Sequence, residues 1–260
     1  MYELENIGFA YGGAKPVIDG LSLTFDKGHF YGIIGPNGCG KTTLIDLLAG
    51  HLRPNHGRIL FNDLPLERQS RQMSARNIAL VPQDFRINFP YTCMEVVMMG
   101  RYPYIPRFSS PDDHDRKVVE TVMQQTGLET FADRYVNQLS GGERQRVVFA
   151  RSLAQETPVL LLDEATSNLD MQHTMELLNL AAARVCEHRL TIAVMQDVNL
   201  AAMYCDRLIC MHDGTIKANG PLEQVLTVRT LQTVFHVDAH VAHNAYSGNL
   251  QVAFKKGENP

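Results

Sequence analysis

The sequence predicts an α/β fold with a largely parallel sheet, an N-terminal antiparallel β-subdomain and an inserted helical subdomain. The first thirty residues alternate apolar and polar side chains, which is typical of antiparallel strands. Further on, short apolar runs such as FYGII, VLLLDE and LTIAVM alternate with helical patterns. That alternation indicates a parallel sheet covered on both faces. Residues 86–155 interrupt it, because they are first rich in proline and then helical in pattern.

The elements follow in a simple order. YELENIGFAY and GLSLTFDKG predict two antiparallel strands, and FYGII predicts a strand that runs into a glycine-rich turn. KTTLIDLLAG predicts a helix ending at Gly50, GRILFNDLPL a hairpin, and NIALV another strand. DDHDRKVVETVMQQTGL and SGGERQRVVFARSLAQ are the clearest helices of the inserted block. PVLLLDE, LTIAVMQD and RLICMHDG then predict short buried strands.

Composition narrows the class of protein. Hydrophobic residues make up 45% of the 260 residues and charged residues 20%, the balance of a soluble globular protein. Because the net charge is −4, the protein as a whole has no positive field that would attract nucleic acid or anionic lipid. No run approaches the roughly 18 apolar residues that cross a bilayer. The five cysteines form no CxxC or metal-binding spacing, so we expect an intracellular, reducing compartment.

A phosphate loop is the strongest chemical signal. GPNGCGKTT matches G-x-x-x-x-G-K-[ST] after a predicted strand and at the start of a helix, which predicts a P-loop NTPase core. Backbone N–H groups of such a loop surround an anion, and the helix N-terminus adds partial positive charge. Lys41 is expected to reach the β- and γ-phosphates, and Thr42 to offer its hydroxyl to Mg²⁺. The predicted nucleotide-binding residues of the loop are Gly35, Pro36, Asn37, Gly38, Cys39, Gly40, Lys41, Thr42 and Thr43.

Two acids follow a buried strand in VLLLDE, residues 159–164. Ligands of open α/β sheets bind outside the carboxyl ends of the strands, so Asp163 and Glu164 are expected beside the phosphate loop. Asp163 is predicted to hold Mg²⁺ through its water shell, and Glu164 to orient and deprotonate the attacking water. Alone this signal is weak, since many strands end in a solvated acidic turn. It is informative because it accompanies the phosphate loop.

LSGGERQR, residues 139–146, begins a helix in an unusual way. Ser140 and Glu143 form a capping-box pattern, which is a common helix start. Capping does not explain Gly141 and Gly142, which weaken the turn they occupy. The two glycines make sense where a phosphate must approach the backbone closely.

The phosphate loop, LSGGERQR and LLDEATSNLD, in this order, resemble the nucleotide-binding subunit of an ABC transporter over essentially the whole chain. The resemblance implies ATP and Mg²⁺ as ligands. It also implies a homodimer that sandwiches ATP, with the LSGG helix of one subunit on the γ-phosphate held by the other. Tyr11 would stack on adenine, Gln83 would contact Mg²⁺ and the attacking water, and Asp170 would communicate across the dimer. Without the family, Tyr11 is interpreted as a turn aromatic and Gln83 as an uninformative strand-end residue.

The resemblance also divides the chain, which we treat as one ABC ATPase domain of residues 1–260. Its predicted parts are the antiparallel β part (1–30 and 56–75), the P-loop core (31–55, 76–85 and 156–215), the helical subdomain (86–155) and a C-terminal extension (216–260).

One group within the superfamily is more similar. VVMMGRYPYIPRF and the ending VLTVRTLQTVFHVDAHV resemble importers of iron–siderophore complexes, haem and cobalamin. This resemblance implies an ATP-hydrolysing subunit at the cytoplasmic face of the plasma (inner) membrane. Its partners would be two polytopic permease subunits and, through the complex, a periplasmic or lipid-anchored substrate-binding protein, with no nucleic acid. The alternative is a soluble ABC ATPase that is not coupled to transport, such as an assembly or translation-associated factor. A third interpretation, a P-loop kinase, would not explain the LSGG sequence.

Residues 89–106 mix aromatics, methionines and prolines, as suits a groove that receives a partner's helix. We therefore expect the permeases to dock there, with Arg101, Tyr102 and Tyr104 in the docking patch. Packing within the helical subdomain is the competing interpretation.

Gln196 departs from the family pattern. The family places a histidine after the strand that corresponds to LTIAVM, where it contacts the γ-phosphate. Glutamine keeps an amide donor but carries no charge and relays no proton near neutral pH. We therefore count Gln196 with Glu164 and Gln83 as catalytic residues and expect bound ATP, a closed dimer and slowed hydrolysis. A natural slower variant and an engineered substitution both remain open.

Two further features allow two interpretations each. His236, His240 and His243 are a candidate metal site on a helix face, but the intervening valines and alanines also suit a strand with surface histidines. Cys39 stands beside a helix N-terminus, which lowers a thiol pKa and favours oxidation. Alternatively it is a small loop filler whose side chain points away.

Overall fold

The computed structural model describes residues 1–13, 15–85, 89–167 and 169–256. The strands are β1 (Tyr2–Phe9), β2 (Ile18–Phe25), β3 (Phe30–Ile34), β4 (His56–Phe61), β5 (Leu64–Pro65), β6 (Ile78–Val81), β7 (Val159–Asp163), β8 (Leu190–Val194), β9 (Arg207–His212), β10 (Thr215–Pro221), β11 (Ala239–His243) and β12 (Leu250–Phe254). The helices are α1 (Lys41–Leu48), α2 (Arg71–Asn77), α3 (Cys93–Met98), α4 (Asp113–Gln125), α5 (Gly141–Ala154), α6 (Met171–Ala183), α7 (Val198–Tyr204), α8 (Leu222–Val225) and α9 (Val228–Phe235).

Two boundaries of the predicted parts fall on residues outside those ranges. Residues 86–88 begin the predicted helical subdomain, and 257–260 end the predicted C-terminal extension. Within the described ranges, none of the helices combines the length and the apolar character that a membrane span requires.

The chain divides into two units. The first is Met1–Arg68 with Ile192–Pro260, and the second is Gln69–Thr191. The division passes through β8, so that strand contributes residues to both units.

An antiparallel sheet opens the first unit, in the order β2-β1-β4-β5. Tyr2 of β1 pairs with Phe25 on one side and Phe61 on the other, and all three rings are buried. The alternation of the sequence produces this arrangement, because every second side chain of a strand faces the same side. The Tyr2 hydroxyl donates to the Leu48 carbonyl oxygen at 2.8 Å and so ties the sheet to the end of α1. The antiparallel strands predicted in the N-terminal region are confirmed, whereas residues 71–75 of the predicted β part belong to α2.

A second sheet of the first unit runs in the order β10-β9-β3-β8. β3 pairs with β9 in parallel, from Tyr31 opposite Arg207 to Ile34 opposite Cys210, and β10 adds an antiparallel edge. Every residue of β3 and of β8 is buried. This is the expected pattern for strands covered on both faces, so the α/β prediction is confirmed.

The second unit combines parallel strands with a helical cluster. β6 pairs with β7 in parallel, from Ile78 opposite Val159 to Val81 opposite Leu162. The helices α3, α4 and α5 pack around one apolar core that includes Val96, Val119 and Val147. Each of these helices begins with a complete capping box, formed by Thr92 and Glu95, Asp112 and Asp115, and Ser140 and Glu143. The helices predicted from sequence are present.

The chain's last described elements are α9 and the hairpin of β11 and β12. α9 ends at His236, whose φ of 57° lies in the left-handed region that terminates helices. His240 and His243 belong to β11 and point to opposite faces, because they are three residues apart in a strand. Within the described ranges, no three His, Cys, Asp or Glu side chains are grouped to hold a metal ion. The three histidines therefore lie at separate places in a turn and a strand.

Candidate functional site

The phosphate loop joins β3 to α1 in the first unit. Lys41, the first residue of α1, is buried, and its Nζ donates to the carbonyl oxygens of Gly35 at 2.9 Å and Pro36 at 3.0 Å. The loop is thus curled around the ammonium group. Such a loop presents backbone N–H groups and a positive charge on one side, which is the arrangement that binds phosphate.

Glycine is required in this loop for two different reasons. Gly40 has a φ of 102°, and a Cβ built on it would lie 2.8 Å from the Val17 carbonyl oxygen. Any side chain there would therefore strain the loop and collide with the backbone. Gly38 also has a positive φ, of 79°, but its Cβ would meet nothing within 4 Å. The loop is open at Gly38, as a loop that receives a ligand must be.

Cys39 is the small filler of this loop rather than a reactive thiol. Its side chain is buried, and its Sγ lies 2.8 Å from the position a Cβ would take on Gly35. Burial raises the pKa of the Cys39 thiol and outweighs the opposite effect of the Lys41 charge. The interpretation of Cys39 as a low-pKa thiol is therefore wrong, because desolvation of the buried thiol outweighs the Lys41 charge and the backbone hydrogen bonds that lower its pKa.

Tyr11 lies in the first unit, close to the phosphate loop. Its hydroxyl is 3.3 Å from the Thr43 hydroxyl, and its ring packs edge-on against Phe9 with centroids 4.8 Å apart. The side chain is nevertheless 50% exposed. An aromatic ring held at one edge and exposed elsewhere is suited to stacking on a planar ligand.

In the second unit, Asp163 ends β7 and Glu164 follows it, and the two residues are only 5% and 8% exposed. Gln83 donates from Nε2 to Glu164 Oε2 at 2.8 Å, although the two residues are 81 positions apart. Glu164 has a φ of 47°, a left-handed conformation that costs energy for a residue with a side chain. The structure thus brings the side chains of Gln83 and Glu164 together and buries Glu164 on a strained backbone.

Ser140 and Glu143 make both bonds of the capping box at the start of α5. The Ser140 N–H donates to Glu143 Oε2 at 2.8 Å, and the Glu143 N–H donates to Ser140 Oγ at 3.3 Å. Hydrogen bonds from Ser140 lower the pKa of the Glu143 carboxyl, because they stabilise its ionised form. A Cβ on Gly141 would meet nothing within 4 Å, so the first turn of α5 is open on that side.

Asp170 has a local role that sequence reasoning missed. It caps α6 by accepting from the His173 N–H at 2.9 Å, and its carboxylate also lies 2.9 Å from His173 Nδ1. These hydrogen bonds lower the pKa of the Asp170 carboxyl. The signal was present in the sequence, because an aspartate before an apolar helical pattern is a common N-cap.

Gln196 follows β8 and precedes α7 in the first unit, and its side chain is exposed. The Met195 N–H donates to the Ile33 carbonyl oxygen at 3.0 Å, two residues before the phosphate loop begins. Gln196 is therefore adjacent in sequence to a residue anchored on the strand that leads into that loop. Asp197 caps α7 by accepting from the Asn199 and Leu200 N–H groups.

Arg101 corrects the predicted docking patch. It is 2% exposed and donates to Asp115 Oδ1 at 2.9 Å, to the Ala154 carbonyl oxygen at 2.8 Å and to Glu156 Oε2 at 2.7 Å. Burial raises the pKa of the Asp115 carboxyl, but hydrogen bonds from Arg101 and the Asp112 backbone outweigh it, and the pKa lies below its usual range. Arg101 belongs to the core of the helical cluster, because its planar guanidinium reaches three separate acceptors there.

The two tyrosines of the patch also differ. The Tyr104 hydroxyl donates to the Gln155 carbonyl oxygen at 2.9 Å, and its ring lies 4.4 Å from the Arg101 guanidinium carbon. Tyr104 therefore packs within the second unit. Tyr102 is 58% exposed and is the patch residue that a partner can reach.

Comparisons with known proteins identify the family of this chain. Residues 18–167 match the family model described as ABC transporter. A hemin import ATP-binding protein of Bordetella pertussis is 39% identical, over 96% of this chain and 98% of that protein. An achromobactin transport ATP-binding protein of Dickeya dadantii is 36% identical, over 92% and 88%. A cobalamin import ATP-binding protein of Halobacterium salinarum is 41% identical over 87% of this chain, but the chain spans only 56% of that relative.

Solved structures point the same way. A chain of a metal-chelate type ABC transporter in an inward-facing conformation superposes with a TM-score of 0.82 at 29% identity, covering 98% of this chain and 97% of that one. A dimeric ATP-binding cassette in a post-hydrolysis state, bound to ADP and Pi, gives 0.76 at 26% identity, covering 85% and 99%. The resemblance inferred from the sequence motifs is thereby confirmed, and the chain belongs to the ABC transporter family of ATP-binding proteins.

Proposed function

We propose that this chain is the ATP-binding and ATP-hydrolysing subunit of an ABC importer for an iron–siderophore complex, haem or cobalamin. The observation that carries the ATPase assignment is the phosphate loop closed around the buried Lys41. The substrate class is supported by relatives named for hemin import, achromobactin transport and cobalamin import. A soluble ABC ATPase is not favoured, because this chain matches a hemin import ATP-binding protein over 98% of that protein's length and an achromobactin transport ATP-binding protein over 88%.

The proposed nucleotide contacts extend beyond the loop. Tyr11 stacks on the adenine, as its exposed ring allows. The residues proposed to contact nucleotide are Tyr11, Gly35, Pro36, Asn37, Gly38, Cys39, Gly40, Lys41, Thr42, Thr43, Ser140, Gly141, Gly142, Glu143 and Asp170. Cys39 contributes through its backbone, since its side chain is buried away.

Thr42, Gln83 and Asp163 are the proposed Mg²⁺ ligands. A hydroxyl, an amide oxygen and a carboxylate are the hard oxygen donors that Mg²⁺ prefers, so the residue types fit the ion. The amide nitrogen of Gln83 is bonded to Glu164, so its coordinating atom would be Oε1. When bound, the ion neutralises charge on the phosphate oxygens.

Glu164 is the proposed general base. Its buried carboxylate accepts a proton from the attacking water, and the bond from Gln83 Nε2 fixes its orientation. The strained backbone at Glu164 supports this role, because such strain persists chiefly at functional positions. Gln196 is the proposed contact to the γ-phosphate and donates through its amide without carrying charge.

The proposed working state is a homodimer with two bound ATP. The open first turn of α5, with Ser140, Gly141 and Gly142, would approach the γ-phosphate held by the other subunit. Asp170 at the cap of α6 would communicate across the dimer. The dimeric form of the related cassette bound to ADP and Pi supports this proposal.

We propose that membrane permease subunits dock on the exposed side chains of residues 89–106, here called the docking surface. Its exposed large side chains are Phe89, Tyr91, Met94 and Tyr102. Clustered apolar groups of this kind mark interaction sites on soluble surfaces. The chain would then act at the cytoplasmic face of the plasma (inner) membrane, with a periplasmic or lipid-anchored binding protein delivering the substrate and no nucleic acid involved.

Copurification tests the importer assignment. A tagged chain expressed in its own cells should copurify from detergent-solubilised membranes with a polytopic protein. The neighbouring reading frames should encode a permease and a substrate-binding protein, which would identify the substrate class. A stable complex recovered entirely without membranes would instead support the soluble ATPase.

Lys41→Ala should weaken ATP binding by about 10–100-fold, since a hydrogen bond to a charged group contributes about 1.5–3 kcal/mol. Turnover should fall with it, because the same charge contacts the transferring phosphate. Titration with a fluorescent ATP analogue measures the affinity. Lys27→Ala, at an exposed position, is the matched control. An unaltered Kd for Lys41→Ala would refute the assignment.

Tyr102→Ala should weaken assembly with the membrane partners without lowering the Tm. The Tyr102 side chain is exposed in this chain, and aromatic side chains that become buried in an interface dominate its binding energy.

Arg101→Ala should instead lower the free energy of unfolding by about 3–5 kcal/mol, since it leaves Asp115 buried without its partner. Thermal melts and copurification separate the two effects. An Arg101→Ala protein that is stable but fails to assemble with the membrane partners would show that Arg101 belongs to the docking surface after all.

A further inference from the structure

One asparagine attaches the C-terminal hairpin to α7. The Val252 N–H donates to Asn199 Oδ1 at 2.7 Å, and Asn199 Nδ2 donates to the Val252 carbonyl oxygen at 3.2 Å. The side-chain amide thereby satisfies both backbone groups of one residue of β12, as a neighbouring strand would. The orientation of the amide follows from these bonds, since a backbone N–H only donates and a carbonyl only accepts.

This attachment lies next to Gln196. On one side of Gln196, the Met195 N–H is bonded to the Ile33 carbonyl oxygen of β3. On the other side, Asp197 caps α7 by accepting from the Asn199 N–H at 2.7 Å. Gln196 therefore occupies a short link between a strand held by β3 and a helix held by the hairpin.

Neither α7 nor the hairpin is expected to hold its place alone. α7 has seven residues, and isolated helices of that length are unstable in water. β11 and β12 form a sheet of only two strands, which is also marginal by itself. Val252 is buried at their contact, so apolar packing and the paired hydrogen bonds of Asn199 act at the same residue.

We propose that Asn199 is a positioning residue, which holds the start of α7 and thereby Gln196 in place by anchoring α7 to the C-terminal hairpin. The inference rests on the proposed γ-phosphate contact of Gln196. The C-terminal hairpin would then affect ATP hydrolysis indirectly, through Asn199 and Gln196, and none of its residues is proposed to contact the nucleotide.

The test combines Asn199→Ala with Gln196→His in a double-mutant cycle. Hydrogen exchange at the Val252 amide reports the anchor directly, and it should accelerate in Asn199→Ala. In the Gln196→His chain, Asn199→Ala should lower kcat by about tenfold, a coupling typical of neighbouring groups, and leave the KM for ATP nearly unchanged. In the parent chain the same change should cost much less, because the glutamine contributes less to hydrolysis.

Two further variants sharpen the cycle. Asn199→Asp keeps the acceptor for the Val252 N–H but places a carboxylate oxygen against the Val252 carbonyl, so its effects should resemble those of Asn199→Ala. Tyr246→Ala, at a fully exposed residue in the turn of the hairpin, should change neither the exchange rate at the Val252 amide nor kcat.

Additive effects of Asn199→Ala and Gln196→His on kcat would overturn the inference, and so would unaltered exchange at Val252. If Gln196→His by itself is no faster than the parent, the slowed hydrolysis expected of Gln196 is wrong, and the larger effect of Asn199→Ala predicted for the histidine chain fails with it. The cycle therefore distinguishes failure of the anchor from failure of the proposed function.

Discussion

Glu164→Gln should reduce kcat for ATP hydrolysis by about 10²–10⁴-fold and leave ATP binding intact, because general base catalysis contributes that much. The shape of the site should survive. The amide oxygen of the new glutamine can still accept from Gln83 Nε2, as Glu164 Oε2 does at 2.8 Å. With binding retained and hydrolysis lost, ATP should trap a closed dimer.

Steady-state phosphate release, nucleotide titration and size-exclusion chromatography with ATP and Mg²⁺ measure these three effects. Glu187→Gln is a matched control, because that glutamate is exposed in the same unit. A Glu164→Gln chain that hydrolyses ATP like the parent would show that Glu164 is not the base. Loss of ATP binding together with hydrolysis would instead indicate that the carboxylate supports the fold.

Gln196→His should increase kcat for ATP hydrolysis by at most about 10²–10³-fold, which is the cost of losing a critical donor to the reacting group altogether. An imidazole donates one hydrogen bond, is oriented through its second nitrogen and can become cationic, whereas the glutamine amide donates through Nε2 but cannot become cationic near neutral pH. The histidine chain should also acquire a pH dependence of kcat near pH 6–7, where an ordinary imidazole titrates. The parent should lack this component.

Assays of phosphate release between about pH 5.5 and 8.5 measure both effects. This range extends roughly one unit or more either side of the imidazole titration. Gln232→His, an exposed position on α9, controls for adding a histidine elsewhere. A Gln196→His chain that is no faster than the parent would make Gln196 a competent phosphate contact in its own right. Neither outcome depends on whether the glutamine is natural or introduced.

The features that depend on residues close together in the chain could be predicted from the sequence. The phosphate loop, the capping box of Ser140 and Glu143 and the strand before Asp163 each depend on local conformation and local hydrogen bonds. The order of these motifs then identified the family, which the comparisons confirmed. The C-terminal histidines were less predictable, because alternating small apolar residues suit a helix or a strand equally.

The sequence by itself determined the class of fold, the phosphate loop and the family of this protein, because those follow from residue types at fixed spacing. Only the tertiary structure decided which side chains are buried and what they contact. It placed Arg101 in a core with Asp115, joined Gln83 to Glu164, and tied Asn199 to Val252. These contacts link residues 14, 81 and 53 positions apart, so no local pattern encodes them. Burial removes water from an ionisable group and so shifts its pKa, and the packing of segments that are distant in the sequence determines which groups are buried.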